Sequence, residues 1–287
     1  TYGVIDDIAE SPHDANTLWV GTDDGFVQLT RDGGKSWKNV TPPGVGEAMV
    51  NIIEVSPHAP ATAYVTISKY KFNDFTPLVF KTTDFGATWT KIVDGIAPEA
   101  WARVVREDPV RKDLLYLGTE SGIYVSFDDG ARWESLRQGL PVTPVHDIAV
   151  TERDLVIGTH GRGFYVMDNI APLRELRSEA VAGSSLLHLF TPQTARRGLD
   201  RGVTFDYSLE TPVKDLRIEI LDANGGSIRT FTNSEAEAAK AAAAPPSVTE
   251  DSPRRPQEPK PPVVQGHHRV NWDLRYPGAT EFPGLIM

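Results

Sequence analysis

The phrase TRDGGKSW at Thr30 to Trp37 returns with few changes as TTDFGATW at Thr82 to Trp89 and as SFDDGARW at Ser126 to Trp133. An internal repeat constrains a fold more tightly than composition does, because each copy folds alike and buries its apolar face against the next. Each phrase closes a longer unit. The first reads IDDIAESPHDANTLWVGTDDGFVQLTRDGGKSW, and the third WARVVREDPVRKDLLYLGTESGIYVSFDDGARW. The second, from Val50, carries an inserted loop before PLVFKTTDFGATW, and the fourth, HDIAVTERDLVIGTHGRGFYVMDN, ends at Asp168-Asn169 without the terminal Trp. The units recur at about 40 to 53 residues, around the length of a four-stranded propeller blade.

Within a unit, short runs rich in β-formers such as TLWVGT, GFVQLT and SWKNV are separated by Pro, Asp and Gly clusters. No helical periodicity intervenes, so these runs are predicted as strands and the chain as all-β. The repeated phrase then falls between a blade's third and fourth strands. There Asp32, Asp84 and Asp128 can accept backbone N–H bonds, and Gly34, Gly86 and Gly130 can take the positive φ of a tight turn. Trp37, Trp89 and Trp133 supply a large side chain to anchor the outer strand between neighbouring sheets. One acid repeated at blade intervals reads as a structural joint and not as a catalytic group.

After residue 178 the pattern changes. VTFDYSL places Val203, Phe205, Tyr207 and Leu209 on one face, and LRIEIL places Leu216, Ile218 and Ile220 likewise. Ala223-Asn224-Gly225-Gly226 is a hairpin signal. RVNWDLRY is predicted to point Val270, Trp272, Leu274 and Tyr276 inward, with Arg269, Asn271, Asp273 and Arg275 outward. Together these predict an antiparallel β-sandwich over 179–287, interrupted at about 233–263 by an Ala-, Glu- and Pro-rich insertion. That insertion has too little apolar surface to offset its ordering entropy.

The Ser/Thr-x-Asp-x-Gly-x-x-Trp phrase resembles the Asp box of BNR-repeat β-propellers. The surrounding sequence is similar to bacterial sortilin-like BNR-repeat proteins often labelled glycosyl hydrolases. The resemblance covers the whole chain and implies four blades over 1–178 that form the end of a larger propeller. Its second half, ILDANGGSIRTF with NWDLRYPGATEFPG, resembles the immunoglobulin-like C-terminal module of those proteins, here expected to be truncated or completed by another chain. The Asp box occurs in sialidases, xyloglucan hydrolases and non-enzymatic receptors alike, so it implies a fold more than a reaction.

Composition removes several function classes. A formal charge of −10 and a pI near 5.2 set nucleic acid aside as a partner, since that affinity rests on neutralising phosphates. The absence of Cys removes thiolate metal sites and Cys nucleophiles. No run of eighteen apolar residues predicts a membrane span. The chain opens on Thr1 without a leader pattern, and its own start is expected upstream. His267-His268 lacks the spacing and acidic partner of a zinc helix, and GTHGRG joins two strands without opening a helix, so neither a metal nor a phosphate cofactor is expected.

In propeller topology the loops after second strands share a face with the links between blades, and binding favours such loops on a rigid frame. That face holds Asp23-Asp24-Gly25, Glu120-Ser121-Gly122, His160-Gly161-Arg162-Gly163 and the inserted SKYKFNDFTP. Tyr70, Phe72 and Phe75 beside Asn73 and Asp74, with Trp101 on a link, make a mixed aromatic and polar cluster suited to sugar rings or peptide side chains. His160 and Arg162 add a titrating ring and a carboxylate-binding fork. Glycoside hydrolysis needs two carboxylates about 5–5.5 Å or 6.5–9.5 Å apart, for which Asp23, Asp24, Asp74 and Glu120 are the candidates. The leading expectation is an exported binding or scaffold protein (periplasmic, cell-surface or secreted) that contacts glycan or polypeptide. A glycoside hydrolase and a subunit of a larger surface assembly are the alternatives.

Overall fold

A computed structural model describes residues 3–137, 139–176, 186–192, 194, 202–234 and 259–274. The chain divides into two compact units, Thr1–Ile170 and Ala171–Met287.

The first unit consists of propeller blades. Blade 1 comprises β1 (Ile5–Ser11), β2 (Asp14–Thr22), β3 (Val27–Thr30) and β4 (Lys38–Asn39), hydrogen-bonded in chain order. Blade 2 follows with β5 (Met49–Val55), β6 (Ala63–Lys69), β7 (Asp74–Thr82) and β8 (Thr90–Lys91). Blade 3 is β9 (Ala102–Glu107), β10 (Leu115–Thr119), β11 (Gly122–Ser126) and β12 (Glu134–Ser135). Blade 4 has three strands, β13 (Val145–Val150), β14 (Leu155–Thr159) and β15 (Phe164–Met167). All pairings are antiparallel, and successive blades touch through their first strands. Middle strands are buried on both faces, as AYVTIS and LYLGT are, so they read as continuous apolar runs without alternation.

The repeated phrase forms one turn three times. Asp32 Oδ1 accepts the Thr30 hydroxyl at 2.8 Å and the Ser36 N–H at 2.9 Å, while Thr30 Oγ1 accepts the Gly34 N–H at 2.9 Å. Asp84 with Thr82, Gly86 and Thr88 repeats this at 2.8, 2.9 and 2.8 Å. Asp128 does so with Ser126, Gly130 and Arg132, though Arg132 offers no hydroxyl where Ser36 and Thr88 add a second bond. The hydroxyl and then the amide of Ser36 hold the Asp32 carboxyl down at about 2, and Thr88 does the same for Asp84.

The Trp residues differ in environment. Trp89 Nε1 donates to the Val40 carbonyl of blade 1 at 2.7 Å, and Trp133 Nε1 to the Ile92 carbonyl of blade 2 at 3.0 Å. Each therefore clamps its blade to the preceding one. Trp133 is 1% exposed, whereas Trp37 is 46% exposed and does not close a seam as the sequence reading expected. The reason is position: the phrase docks on the blade before it, and Trp37 belongs to the first blade described.

The second unit opens with the short helix α1 (Ala171–Glu175). It continues with β16 (Leu187–Leu189), β17 (Val203–Leu209), β18 (Arg217–Leu221), β19 (Ser227–Thr232) and β20 (Gly266–Trp272). These form a sheet in the order β16-β17-β20 and a β18-β19 hairpin, whose inner faces share a core of Tyr207, Leu209, Leu216, Phe231 and Val270. Among the described residues these make part of an antiparallel sandwich. The hairpin turns at Asp222–Gly226, with Gly225 at φ 83°. Leu274 was expected inward but is 40% exposed, because β20 ends at Trp272 and Leu274 turns to φ 60°. Tyr276 and Arg275 lie outside the described residues, as do 235–258 of the insertion. At the insertion's far end Val263 accepts the Val213 N–H at 2.9 Å, and Pro262 accepts the Tyr207 hydroxyl at 2.6 Å. Asp206, on the opposite face of β17 from Tyr207, is buried. Burial pushes its carboxyl up, but His267 and Arg269 outweigh that and hold it below its ordinary value.

Candidate functional site

Each blade's first strand carries one extra residue at the same register, so four β-bulges lie at one end of the unit. The extra residues are Asp6, Asn51, Arg103 and His146. A bulge leaves a residue outside the ladder and redirects its side chain, which is why bulges concentrate beside functional sites. The neighbouring loops are pinned in a common way. The N–H groups of Asp23, Glu120 and His160 donate to the carbonyls of Val4, Trp101 and Pro144, each just ahead of a first strand, at 3.0, 3.1 and 3.0 Å. The loops after second strands and the bulges thus share one mouth.

Around this mouth the bulged side chains have distinct chemistries. Arg103 donates through Nε and Nη2 to Oε2 of Glu120, at 2.8 and 2.6 Å, and lies 4.0 Å over the Trp101 ring. Tyr70 stacks on Trp101 at 4.7 Å and 17°. Asn51 bridges blades, donating to the Ala102 carbonyl at 2.9 Å and accepting the Ser68 hydroxyl at 3.0 Å. His146 lies 5.2 Å from the His160 ring; burial, then Arg103 and His160, push its imidazole down against the opposing pull of Glu120. Burial and then Asp23 push the exposed Asp6 carboxyl up, with Lys71 opposing.

The insertion forms a short 3-10 turn at Tyr70–Phe72, closed by Asn73 at φ 59°. Phe72 and Phe75 are 49% and 42% exposed. Asp74 opens β7, and its bonds from Thr76, backbone first, hold its carboxyl below the ordinary range. Beside the insertion is a groove of about 240 Å³ lined by Asp23, Glu47, Met49, Ser68, Lys71 and Phe72. Trp101 is buried beneath Tyr70 and Arg103, so it anchors the insertion and offers no open ring face. Arg162 and His160 stand exposed on a turn that Thr159 closes through the Gly163 carbonyl.

Each of the four candidate catalytic carboxylates has a hydrogen-bond partner of its own. Asp23 accepts the N–H groups of Gly3 and Val4 at 2.9 and 2.8 Å, Asp24 accepts the Thr22 hydroxyl, Glu120 holds Arg103, and Asp74 accepts the Thr76 N–H. A different set, unread in the sequence, lies farther along the first strands. Arg106 of β9 joins Glu54 of β5 at 3.4 Å, Asp147 of β13 at 3.0 Å and the Ile148 carbonyl at 3.1 Å. Asp7 of β1 accepts the Ile53 N–H at 2.6 Å. Burial pushes Asp7 up, and it pushes Glu54 up to about 7 despite the adjacent guanidinium. A usable signal existed for the bulges. Each is a polar residue directly after an aliphatic one at the start of a unit: Ile5-Asp6, Val50-Asn51, Ala102-Arg103 and Val145-His146. Among the described residues, no cluster of His, Asp and Glu could hold a metal ion, and no helix is long and apolar enough to cross a membrane.

Neither a protein-family model nor a curated protein matches the chain. Solved structures do. An ancestral GH74 enzyme aligns at 15% identity and TM-score 0.47, over 81% of this chain and 33% of its own. The GH74 xyloglucanase from Xanthomonas campestris aligns at 15% and 0.46, over 72% and 34%, and YCF48 bound to D1 peptide at 15% and 0.45, over 80% and 69%. The chain spans about a third of the length of the two GH74 proteins. The chain is similar to these proteins as a β-propeller.

Proposed function

We propose that the chain is an exported, non-catalytic propeller of the Asp-box type that binds polypeptide at the mouth formed by its four bulges. The groove between the Asp23 turn and the insertion carries this reading. It combines an exposed aromatic ring, Phe72, with Met49, Lys71, Glu47 and Asp23, which suits an apolar side chain with a polar end. Glycan is the lesser partner, because Tyr70 and Arg103 cover the one indole at the mouth. The carboxylates that hydrolysis would require there are committed to backbone amides, a hydroxyl or Arg103. Further blades, from this or another chain, would cover the exposed faces of β1 and β15, where Ile8 is 60% and Phe164 82% exposed.

Random-peptide display and a glycan array on the same immobilised protein test this. Enriched peptides should lose at least about tenfold in affinity against Phe72→Ala, an exposed change that leaves the core intact. Ligands indifferent to both Phe72→Ala and Lys71→Glu would refute the site, and glycans sensitive to them would reverse the choice of partner. A hydrolase reading draws on Glu54, whose raised proton affinity suits a general acid. Loss of a measured glycosidase activity in Glu54→Gln would favour it.

A further inference from the structure

A second surface, away from the mouth, lies at the seam between blades 3 and 4, and it follows from comparing the seams. At the seam between blades 2 and 3, Trp133 packs among Val79, Ile92, Ile96, Leu115, Leu117 and Tyr124. Register assigns each of these a counterpart one blade on: Ile123, Leu136, Leu140, Leu155, Ile157 and Tyr165. Leu117 pairs with Tyr124 as Ile157 pairs with Tyr165, and the Ile92 N–H bonds the Val79 carbonyl as the Leu136 N–H bonds that of Ile123. These six counterparts line an open groove of about 260 Å³.

The glycines give an independent measure of the same gap. Gly95 and Gly139 hold equivalent places with φ 89° and 83°. A Cβ on Gly95 would meet the Trp133 carbonyl oxygen at 2.2 Å, whereas one on Gly139 meets nothing within 4 Å. Among the described residues, blade 4 has neither the repeated turn nor a fourth strand, and β15 is the edge of its sheet. Five of the chain's six Trp residues are packed elsewhere, and the sixth, Trp37, stands half exposed in blade 1's own turn. Trp19, Trp89, Trp101 and Trp133 have places in or ahead of the other blades, and Trp272 pairs with Val203 in the second unit.

We propose that this groove is a docking slot for an extended segment of a partner polypeptide with the sequence Trp-polar-polar-aliphatic. The occupant is defined by the chain's own three copies: Trp37-Lys38-Asn39-Val40, Trp89-Thr90-Lys91-Ile92 and Trp133-Glu134-Ser135-Leu136. In each, the two polar residues pair with the third strand, and the aliphatic residue donates its N–H to that strand. The bound segment takes the fourth-strand position antiparallel to β15 and places its indole over Leu136, Leu155 and Ile157. The backbone ladder supplies affinity and the indole slot supplies selection.

The probe is a fluorescein-labelled peptide of residues 128–137, read by fluorescence polarisation against the full chain. Saturable binding is expected, weakened about tenfold or more by Trp133→Ala in the peptide, since a buried indole contributes well over the free energy of one decade. Changing the peptide avoids any folding failure in the protein, and Ile157→Trp in the protein, which fills the slot from within, should compete equally. Absence of binding at about 100 μM, or equal binding by the Trp133→Ala peptide, overturns the proposal. Binding lost in Phe72→Ala would move the site to the mouth and overturn it too. Self-association that Trp37→Ala abolishes and the peptide displaces would make a second copy the occupant, against the partner proposed.

Discussion

One phrase written three times should not be worth the same free energy in each place. Trp133 is 1% exposed and its indole donates across a seam to Ile92. Removing an aromatic side chain that buries roughly 150–250 Å² forfeits about 4–6 kcal/mol at 25 cal/mol per Å², an upper bound because unfolded chains already bury part of that surface. Measured Trp→Ala losses of about 3–5 kcal/mol agree, and the orphaned Ile92 carbonyl adds about 1 kcal/mol. Trp133→Ala should therefore cost about 4 kcal/mol, and Trp133→Phe, which keeps most of the volume but loses the donor, about 2 kcal/mol. Trp37→Ala should cost under about 1 kcal/mol, since its ring is already half in water. Urea unfolding followed by far-UV circular dichroism reads the order, with Trp89→Ala between the two. Losses of equal size at Trp37 and Trp133 would refute the view that these side chains act by clamping a blade to its predecessor.

Gly95→Ala should destabilise by at least about 2 kcal/mol more than Gly139→Ala in thermal melts, because both share a positive φ but only at Gly95 would the added Cβ meet a carbonyl oxygen, at 2.2 Å. Asp84→Asn should lower stability most above pH 4 and little near pH 2. Its folded carboxyl is depressed to about 2, so its stabilisation is present above the unfolded value and lost as pH falls through the folded one; pH-dependent melts check this. Glu54 runs the other way. Its folded value is raised from 4.5 to about 7, the folded state binds more protons in that window, and stability falls as pH rises through it. Glu54→Gln should flatten that slope, by about 3 kcal/mol at most, in urea titrations from pH 4.5 to 7.5.

The blades, the turn chemistry and the second unit's hairpin were legible because each is local. Asp32 and Asp84 bond only groups within four residues, and Gly225 turns a hairpin whose sequence names it. What escaped was whatever depends on a neighbouring blade. Trp37 and Trp133 sit in the same words, yet one is exposed and the other buried, because the acceptor belongs to the unit before. Arg106, Glu54 and Asp147 lie on three different first strands, and their meeting depends on strand register around an axis that no spacing reveals. Asp23 and Glu120 read as free carboxylates for lack of any sign that the Gly3 and Val4 amides or Arg103 would claim them. Leu274 was assigned by alternation, which fails once a strand ends.

The four bulges carry the functional reading further than any single loop. A repeat fold fixes one backbone position per blade at the same height, and here those positions hold an acid, an amide, a guanidinium and an imidazole in turn: Asp6, Asn51, Arg103 and His146. Hydrolysis at such a mouth would need two carboxylates on facing blades, free of permanent partners and separated for a glycosidic bond. Only one bulge carries a carboxylate, Asp6; its acidic neighbour Asp23 accepts the Gly3 and Val4 amides, and Glu120 is held by a bulged arginine. Four unlike polar groups beside an exposed phenylalanine instead match the requirements of recognition, where each contact differs from its neighbour and the frame beneath them stays fixed. The repeated frame and its varied fittings support the binding reading we propose.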